Sequence, residues 1–240
     1  MTPEHKALLD QLRAAGRPAD SQFDPANYLK SGATFLNVAV PEQRRIAKDW
    51  LKTHSAWSAA EVLALVDELV ESGSHEEKTL GLHLIEGLGR GRRPFGPVEV
   101  DRWLDHLVGW AEVDSLCQSI FGPEDLLGDW PAWSGFIRRL SKDPNINKRR
   151  AALVLLCRST RTSPDPRLGD LAFETIEALK GEREIILTKA VSWLLRSMLE
   201  HHPADVAAYL DDQGPTLPAI AVRETRLKLA TGRKTPRRGS

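Results

Sequence analysis

Three stretches of this sequence set charged and aromatic side chains together at helical spacing. The first is Trp110-Ala111-Glu112-Val113-Asp114. At about 100° of rotation per residue, Val113, Leu116, Cys117 and Ile120 form one apolar stripe, and Trp110 and Asp114 stand one turn apart at its edge beside Phe121. A carboxylate at such an edge is partly desolvated next to a ring, which is costly unless a cation meets it. It reads either as a helix-surface Asp beside a half-buried Trp or as a chemical group. The second stretch is Asn145-Ile146-Asn147-Lys148-Arg149-Arg150-Ala151-Ala152-Leu153. There Arg150 falls among Ile146, Leu153, Val154 and Cys157, inside the apolar face. A guanidinium so placed requires an acidic partner, either a carboxylate in a structural salt bridge or a phosphate. The third is Thr188-Lys189-Ala190-Val191-Ser192-Trp193-Leu194-Leu195-Arg196. Lys189, Trp193 and Arg196 share one stripe, and cations interleaved with a ring suit nucleic acid, the charges meeting phosphates and the ring meeting sugar or base.

The elements that must hold these groups are helices. Nearly every segment repeats apolar residues at helical spacing, and none sustains strand alternation. Starts are marked by Thr2-Pro3 and Val40-Pro41-Glu42, with proline in the first turn. Stops come from Gly16, Gly32, Gly73, the stretch 87–91, Gly122 and Gly214, since glycine ends helices at little steric cost. Helices are predicted near 3–15, 23–31, 41–54, 58–72, 74–88, 97–109, 110–121, 130–142, 145–160, 165–180, 182–201, 203–212 and 217–230. From about residue 41 they pair through short loops with a period of roughly 35–50 residues, the range of HEAT-type repeats. The expected fold is all-α, a right-handed solenoid of HEAT-like antiparallel helix pairs with one concave face. It forms a single domain over 1–230, followed by a basic, disordered tail over 231–240.

The 240 residues allow a real core, and 41 % hydrophobic with 28 % charged residues argues against wholesale disorder. No stretch approaches the roughly 18 apolar residues of a membrane span. The first residues carry Glu4 and Asp10 and lack an apolar run, so no signal peptide is expected. Cys117 and Cys157 are the two cysteines and read as reduced core thiols of a cytoplasmic protein. Of seven tryptophans, Trp50, Trp57, Trp103, Trp130 and Trp133 are assigned to packing.

The zero net charge hides a segregation. Basic residues crowd 138–161 and the stretch after Arg223, while Glu61, Asp67, Glu68, Glu71, Glu76 and Glu77 form an acidic block read as a solvated helix face. Two basic blocks bordering the chemical stretches point to a polyanion surface. Gly87-Leu88-Gly89-Arg90-Gly91 has no preceding strand and reads as a helix end with a basic linker, with Arg90, Arg92 and Arg93 free to touch phosphates. His201-His202 and the pair His75 and His83 lack the ligands of a metal site. No arrangement for acyl transfer is present.

In this order on a helical-repeat background, the residues resemble the HEAT-like-repeat alkylpurine DNA glycosylases, the DNA alkylation repair protein family. The resemblance runs from about Tyr28 to Lys228. It rests on Tyr28-Leu29-Lys30, on Phe35-Leu36 leading to Pro41 and Arg44, and on Trp110-x-x-Val113-Asp114. It continues through Arg150-Ala151-Ala152, Lys189-Ala190-x-x-Trp193-Leu194-Leu195-Arg196 and Arg223-Glu224. It implies that Asp114 is the catalytic carboxylate, that Trp110 and Trp193 line the same cleft, and that Arg150 contacts the DNA backbone. Tyr28 would belong to the N-terminal part of the surface. Lys30, Arg44, Arg149, Lys189, Arg196 and Arg223 complete the expected DNA-binding set.

The implied activity is that of a DNA-3-methyladenine/7-methylguanine-type N-glycosylase, a hydrolase of base excision repair acting without flipping the base into a pocket. The implied partner is duplex DNA containing alkylated bases, met by the concave face of a monomer. The expected setting is cytoplasmic, nucleoid-associated in a prokaryote, with no membrane, metal or cofactor. Several positions depart from the family pattern. Asn37 replaces a usual glycine, and Asn tolerates the left-handed backbone better than most residues. Ala39 and Val40 replace polar residues before Pro41, and Gly109 and Ala111 flank Trp110 where an aromatic or acidic residue is common. Two other functions stay open: a non-catalytic HEAT-repeat protein binding distorted or branched DNA, and a protein–protein scaffold.

Overall fold

The computed structural model describes residues 1–18, 25–29, 31–89 and 95–235. Among the described residues every regular element is a helix, apart from one isolated parallel bridge between Thr34 and Ser74. The chain divides into two compact units, Met1–Ile120 and Phe121–Ser240. None of the described helices is long and apolar enough to cross a membrane.

The first unit holds α1 (Pro3–Ala15), α2 (Pro25–Leu29), α3 (Val40–Thr53), α4 (Ala59–Val70), α5 (His75–Gly87), α6 (Pro97–Leu104) and α7 (Trp110–Ser119). The start of α1 is built from the expected Thr2-Pro3 signal. The Thr2 hydroxyl accepts from the His5 amide with Pro3 in the first turn, and Ser58 and Ser74 cap α4 and α5 in the same way. Each such cap contributes about 1 kcal/mol.

Helix α5 packs against α3, α4 and α7, and residues 76–85 are all buried. A helix enclosed on every side must find partners for its polar groups. Glu76 accepts from the amides of Leu36 at 2.9 Å and Val38 at 3.3 Å. Glu77 accepts from the Ser74 hydroxyl at 2.6 Å and meets His5 Nε2 at 2.8 Å. The Thr79 hydroxyl donates to Gln43 at 2.6 Å.

The acidic block is therefore not one solvated face. Glu76 and Glu77 are buried acceptors, Glu61 closes a capping box with Ser58, and Glu68 takes Thr2 and His5. Asp67 accepts from Arg102 at 2.6 Å and from the Trp103 indole at 2.7 Å.

The second unit holds α8 (Pro123–Gly128), α9 (Trp130–Leu140), α10 (Ile146–Thr162), α11 (Pro166–Leu179), α12 (Ile185–Met198), α13 (Pro203–Gln213) and α14 (Ala219–Thr231), with a 3-10 turn at Gly214–Thr216. Helix α10 packs against α8, α9, α11 and α12, and α12 packs on α14. Residues 151–157 of α10 are all at 0 % exposure. A helix apolar around its whole circumference belongs in a core, and each fully buried Leu or Val stabilises by roughly 1.5–3 kcal/mol.

In both units alternate helices touch: α3 with α5 and α5 with α7, α10 with α12 and α12 with α14. That is the neighbour pattern of stacked helix pairs. The helical site residues expected from the sequence fall on these alternating helices, except Tyr28 on α2. Arg44 is on α3, Trp110 and Asp114 on α7, Arg149 and Arg150 on α10, Lys189, Trp193 and Arg196 on α12, and Arg223 on α14.

Trp50, Trp103 and Trp133 are buried, and Trp57 and Trp130 half-buried, Trp130 beneath Arg167 at 5.4 Å. Cys117 and Cys157 are buried free thiols. Helix α14 ends at Thr231 with Gly232 in the left-handed conformation, and residues 236–240 of the expected tail lie outside the described residues.

Candidate active site and nucleic-acid interface

The site in the first unit is built around the start of α7. Gly109 precedes the helix at φ 82°, a conformation that costs glycine little and other residues much, so glycine here is what launches Trp110 into the first turn. Glu112, at the third helical position, reaches back to the Val108 amide at 2.8 Å. Its other oxygen meets His75 Nδ1 at 2.9 Å, and Lys78 Nζ stands 3.9 Å away. Lys78 in turn donates to the His106 carbonyl. Glu112 is at 0 % exposure.

Around the helix axis Glu112 lies about 100° to one side of Val113, while Trp110 and Asp114 lie about 60° and 100° to the other. Drawing Glu112 inward therefore leaves Trp110 and Asp114 on the opposite edge of the buried stripe. Val113, Leu116, Cys117 and Ile120 are buried as that stripe, and Trp110 and Asp114 are half-buried. The Trp110 indole donates to the Tyr28 carbonyl at 3.0 Å, and the two rings meet edge-on at 5.6 Å.

Glu112 lies far from His75 and Lys78 in the chain, and it alone carries a local cue, as a first-turn glutamate that can reach back to a backbone amide.

The loop ahead of α3 lies against the same cluster. Phe35 packs on the His75 ring with centroids 5.2 Å apart. Asn37 has φ 58°, the left-handed backbone that asparagine was expected to tolerate there. The Gln43 side-chain amide donates to the Val38 carbonyl at 2.8 Å. Ala39 gives α3 no side-chain cap, and Val40 is exposed. Arg44 is exposed, with its Nε 3.7 Å from Glu86. Lys30, Arg90, Arg92 and Arg93 lie outside the described residues.

In the second unit Arg150 is 5 % exposed, and its guanidinium donates to the Ile186 carbonyl in the first turn of α12. Arg149 is turned into the structure. Its Nη1 donates to the carbonyls of Asp143 and Pro144, both at 2.8 Å, and its Nε is 2.9 Å from Glu182.

Lys189 and Arg223 are exposed and Trp193 is half-buried. Arg196 is held 3.4 Å from Glu224, which also accepts from the Ser192 hydroxyl at 2.8 Å. Burial lowers the Arg196 pKa from its ordinary value, opposed by Glu224. Lys228 donates to the Arg196 carbonyl at 2.8 Å. Of the expected basic contacts in this unit, Lys189 and Arg223 present their charge to solvent, and Arg149 and Arg196 are engaged within the fold.

Among the described residues no three His, Cys, Asp or Glu side chains gather as metal ligands. His75 and His83 pair separately with Glu112 and Glu86.

The family model described as DNA alkylation repair enzyme matches residues 8–229. A comparison with curated proteins finds no match. Among solved structures, a chain described as a predicted DNA alkylation repair enzyme from Enterococcus faecalis superposes with a TM-score of 0.70 at 18 % identity, covering 96 % of this chain and 97 % of that one. At that identity the likeness speaks for the fold alone.

Proposed function

Because the chain belongs to the DNA alkylation repair enzyme family, we propose that it is a DNA glycosylase hydrolysing the N-glycosidic bond of cationic N3- or N7-alkylated purines in duplex DNA. The observation that carries this reading is the start of α7, where Asp114 stands half-buried one turn from a Trp110 whose indole is pinned to the Tyr28 carbonyl.

The chemistry fits so spare a site. Alkylation leaves the purine cationic, so the base departs with the electron pair of the C1′–N bond and becomes neutral without being protonated. What remains is an oxocarbenium-like sugar that needs a negative charge beside it and a water placed at C1′. Asp114 stabilises the sugar cation, orients that water and accepts its proton as the C1′–O bond forms. The Trp110 ring adds cation–π attraction to the same charge. Trp193, which matches a cleft tryptophan of the family, is proposed as a further aromatic contact with the DNA. Arg150 matches a backbone-contacting Arg of the family but is buried and donates to the Ile186 carbonyl. It is assigned to holding α10 on α12 beside the DNA surface, and exposed Lys189 and Arg223 supply phosphate contacts.

Base release from methylated duplex DNA tests the reading. Liberation of 3-methyladenine or 7-methylguanine supports it. Salt-sensitive binding to branched duplex without any base release would replace it with the non-catalytic alternative, and no duplex binding at all would leave a protein–protein scaffold.

A further inference from the structure

We propose that Glu112 and His75 are positioning residues for this chemistry, fixing the first turn of α7 and through it Asp114 and Trp110. The inference rests on the glycosylase reading above. Glu112 Oε2 accepts from the amide of Val108 at 2.8 Å, the residue just before the Gly109 N-cap, and so ties the approach to the first turn of α7. Glu112 carries more than that. Its other oxygen meets His75 at 2.9 Å, and Lys78 lies 3.9 Å away, so a fully buried carboxylate is held from two residues of α5 at once.

His75 is itself fixed twice more. Its backbone amide donates to the Thr34 carbonyl at 2.9 Å, and its ring packs on Phe35 at 5.2 Å. Three chain segments are thereby clamped to the turn from which Asp114 projects: the loop around 34–36, the start of α5 and the approach 106–109. Glu112 leaves α7 about 160° away from Asp114, so any roll of the helix that loosens Glu112 swings Asp114 as well. A misplacement of about 1 Å at a catalytic group costs on the order of 100-fold in rate.

The test compares Glu112→Gln, His75→Leu and His75→Gln in single-turnover base release and in duplex binding. In parallel, 5-fluorotryptophan labelling reports Trp110, its resonance identified by its loss in Trp110→Phe. In Glu112→Gln, release is expected to slow by about 10- to 100-fold with duplex affinity unchanged, and the Trp110 resonance moves while the other tryptophans stay. His75→Gln, whose amide can donate to Glu112, recovers most of what His75→Leu loses.

Full release with an unmoved Trp110 resonance in Glu112→Gln overturns the proposal. So does slow release with that resonance unmoved, or a parallel loss of affinity. Should Glu112→Gln fail to fold, the two His75 variants decide, and equal rates with equal Trp110 resonances overturn it. If the wild type releases no base, the glycosylase reading falls by itself, and the Trp110 resonance alone decides whether Glu112 and His75 hold α7.

Discussion

The Trp110 indole donates to the backbone carbonyl of Tyr28, 82 residues away in the chain, while the two rings meet edge-on at 5.6 Å. The hydrogen bond uses main chain on the Tyr28 side, so a substitution at Tyr28 removes the ring contact and spares the bond. Edge-to-face pairs contribute about 0.5–1.5 kcal/mol, and Tyr28, at 59 % exposure, should sit at the low end. Tyr28→Ala is expected to lower stability by about 0.5 kcal/mol and to alter Trp110 fluorescence, with Tyr28→Phe close to wild type. Urea unfolding followed by tryptophan emission checks both.

Asn37 holds a left-handed backbone at φ 58°. Asn37→Gly should be neutral or slightly stabilising, since glycine adopts this region without steric cost. Asn37→Val should lose about 1–2 kcal/mol, read as a lower urea midpoint at unchanged slope.

Much of the fold is legible because its cues are local. Thr2-Pro3 and the apolar spacing place α1 at Pro3–Ala15, the predicted bounds. The predicted helix at 97–109 instead stops at Leu104, where the Asp105 and His106 amides turn back to the carbonyls of Arg102 and Trp103, three residues behind. Helix α8 went unread, as six residues carry too little periodicity to register. Trp110 and Asp114 were legible from their place on the stripe, whereas the role of Glu112 depends on His75 and Lys78, more than thirty residues upstream. Arg149 and Arg196 both fall in the expected DNA-binding set. Position in the sequence says nothing of the carbonyls, Glu182 and Glu224 that hold them.

That division predicts two kinds of arginine and lysine variant. Lys189→Ala should weaken duplex binding uniformly across sequences and reduce the slope of log affinity against log salt by about one. Arg149→Ala should leave that slope alone and lower stability by about 0.5–1.5 kcal/mol, because it removes the hydrogen bonds to the carbonyls of Asp143 and Pro144. Binding isotherms at several salt concentrations, paired with thermal melts, separate the two.

Stability should fall as the solution is acidified from neutral pH. Burial of the His83 ring pushes its pKa below 6.5, against the opposing pull of Glu86. The folded chain thus binds fewer protons at this site than the unfolded chain. The stability contributed is fully present above 6.5 and is lost as pH falls through the depressed value. Glu68, held below 4.5 chiefly by the Thr2 amide, adds a further loss at lower pH. His83→Gln should flatten the decline that sets in as pH falls below 6.5 and leave the later drop intact, as followed by melting temperature against pH.

The most direct measurement is base release from methylated duplex DNA by wild type and Asp114→Asn, compared at matched DNA occupancy. The account predicts release of 7-methylguanine or 3-methyladenine by the wild type and a loss of about 100- to 1000-fold in Asp114→Asn, with duplex affinity retained. Equal release by the two proteins would remove Asp114 from the chemistry and contradict the account.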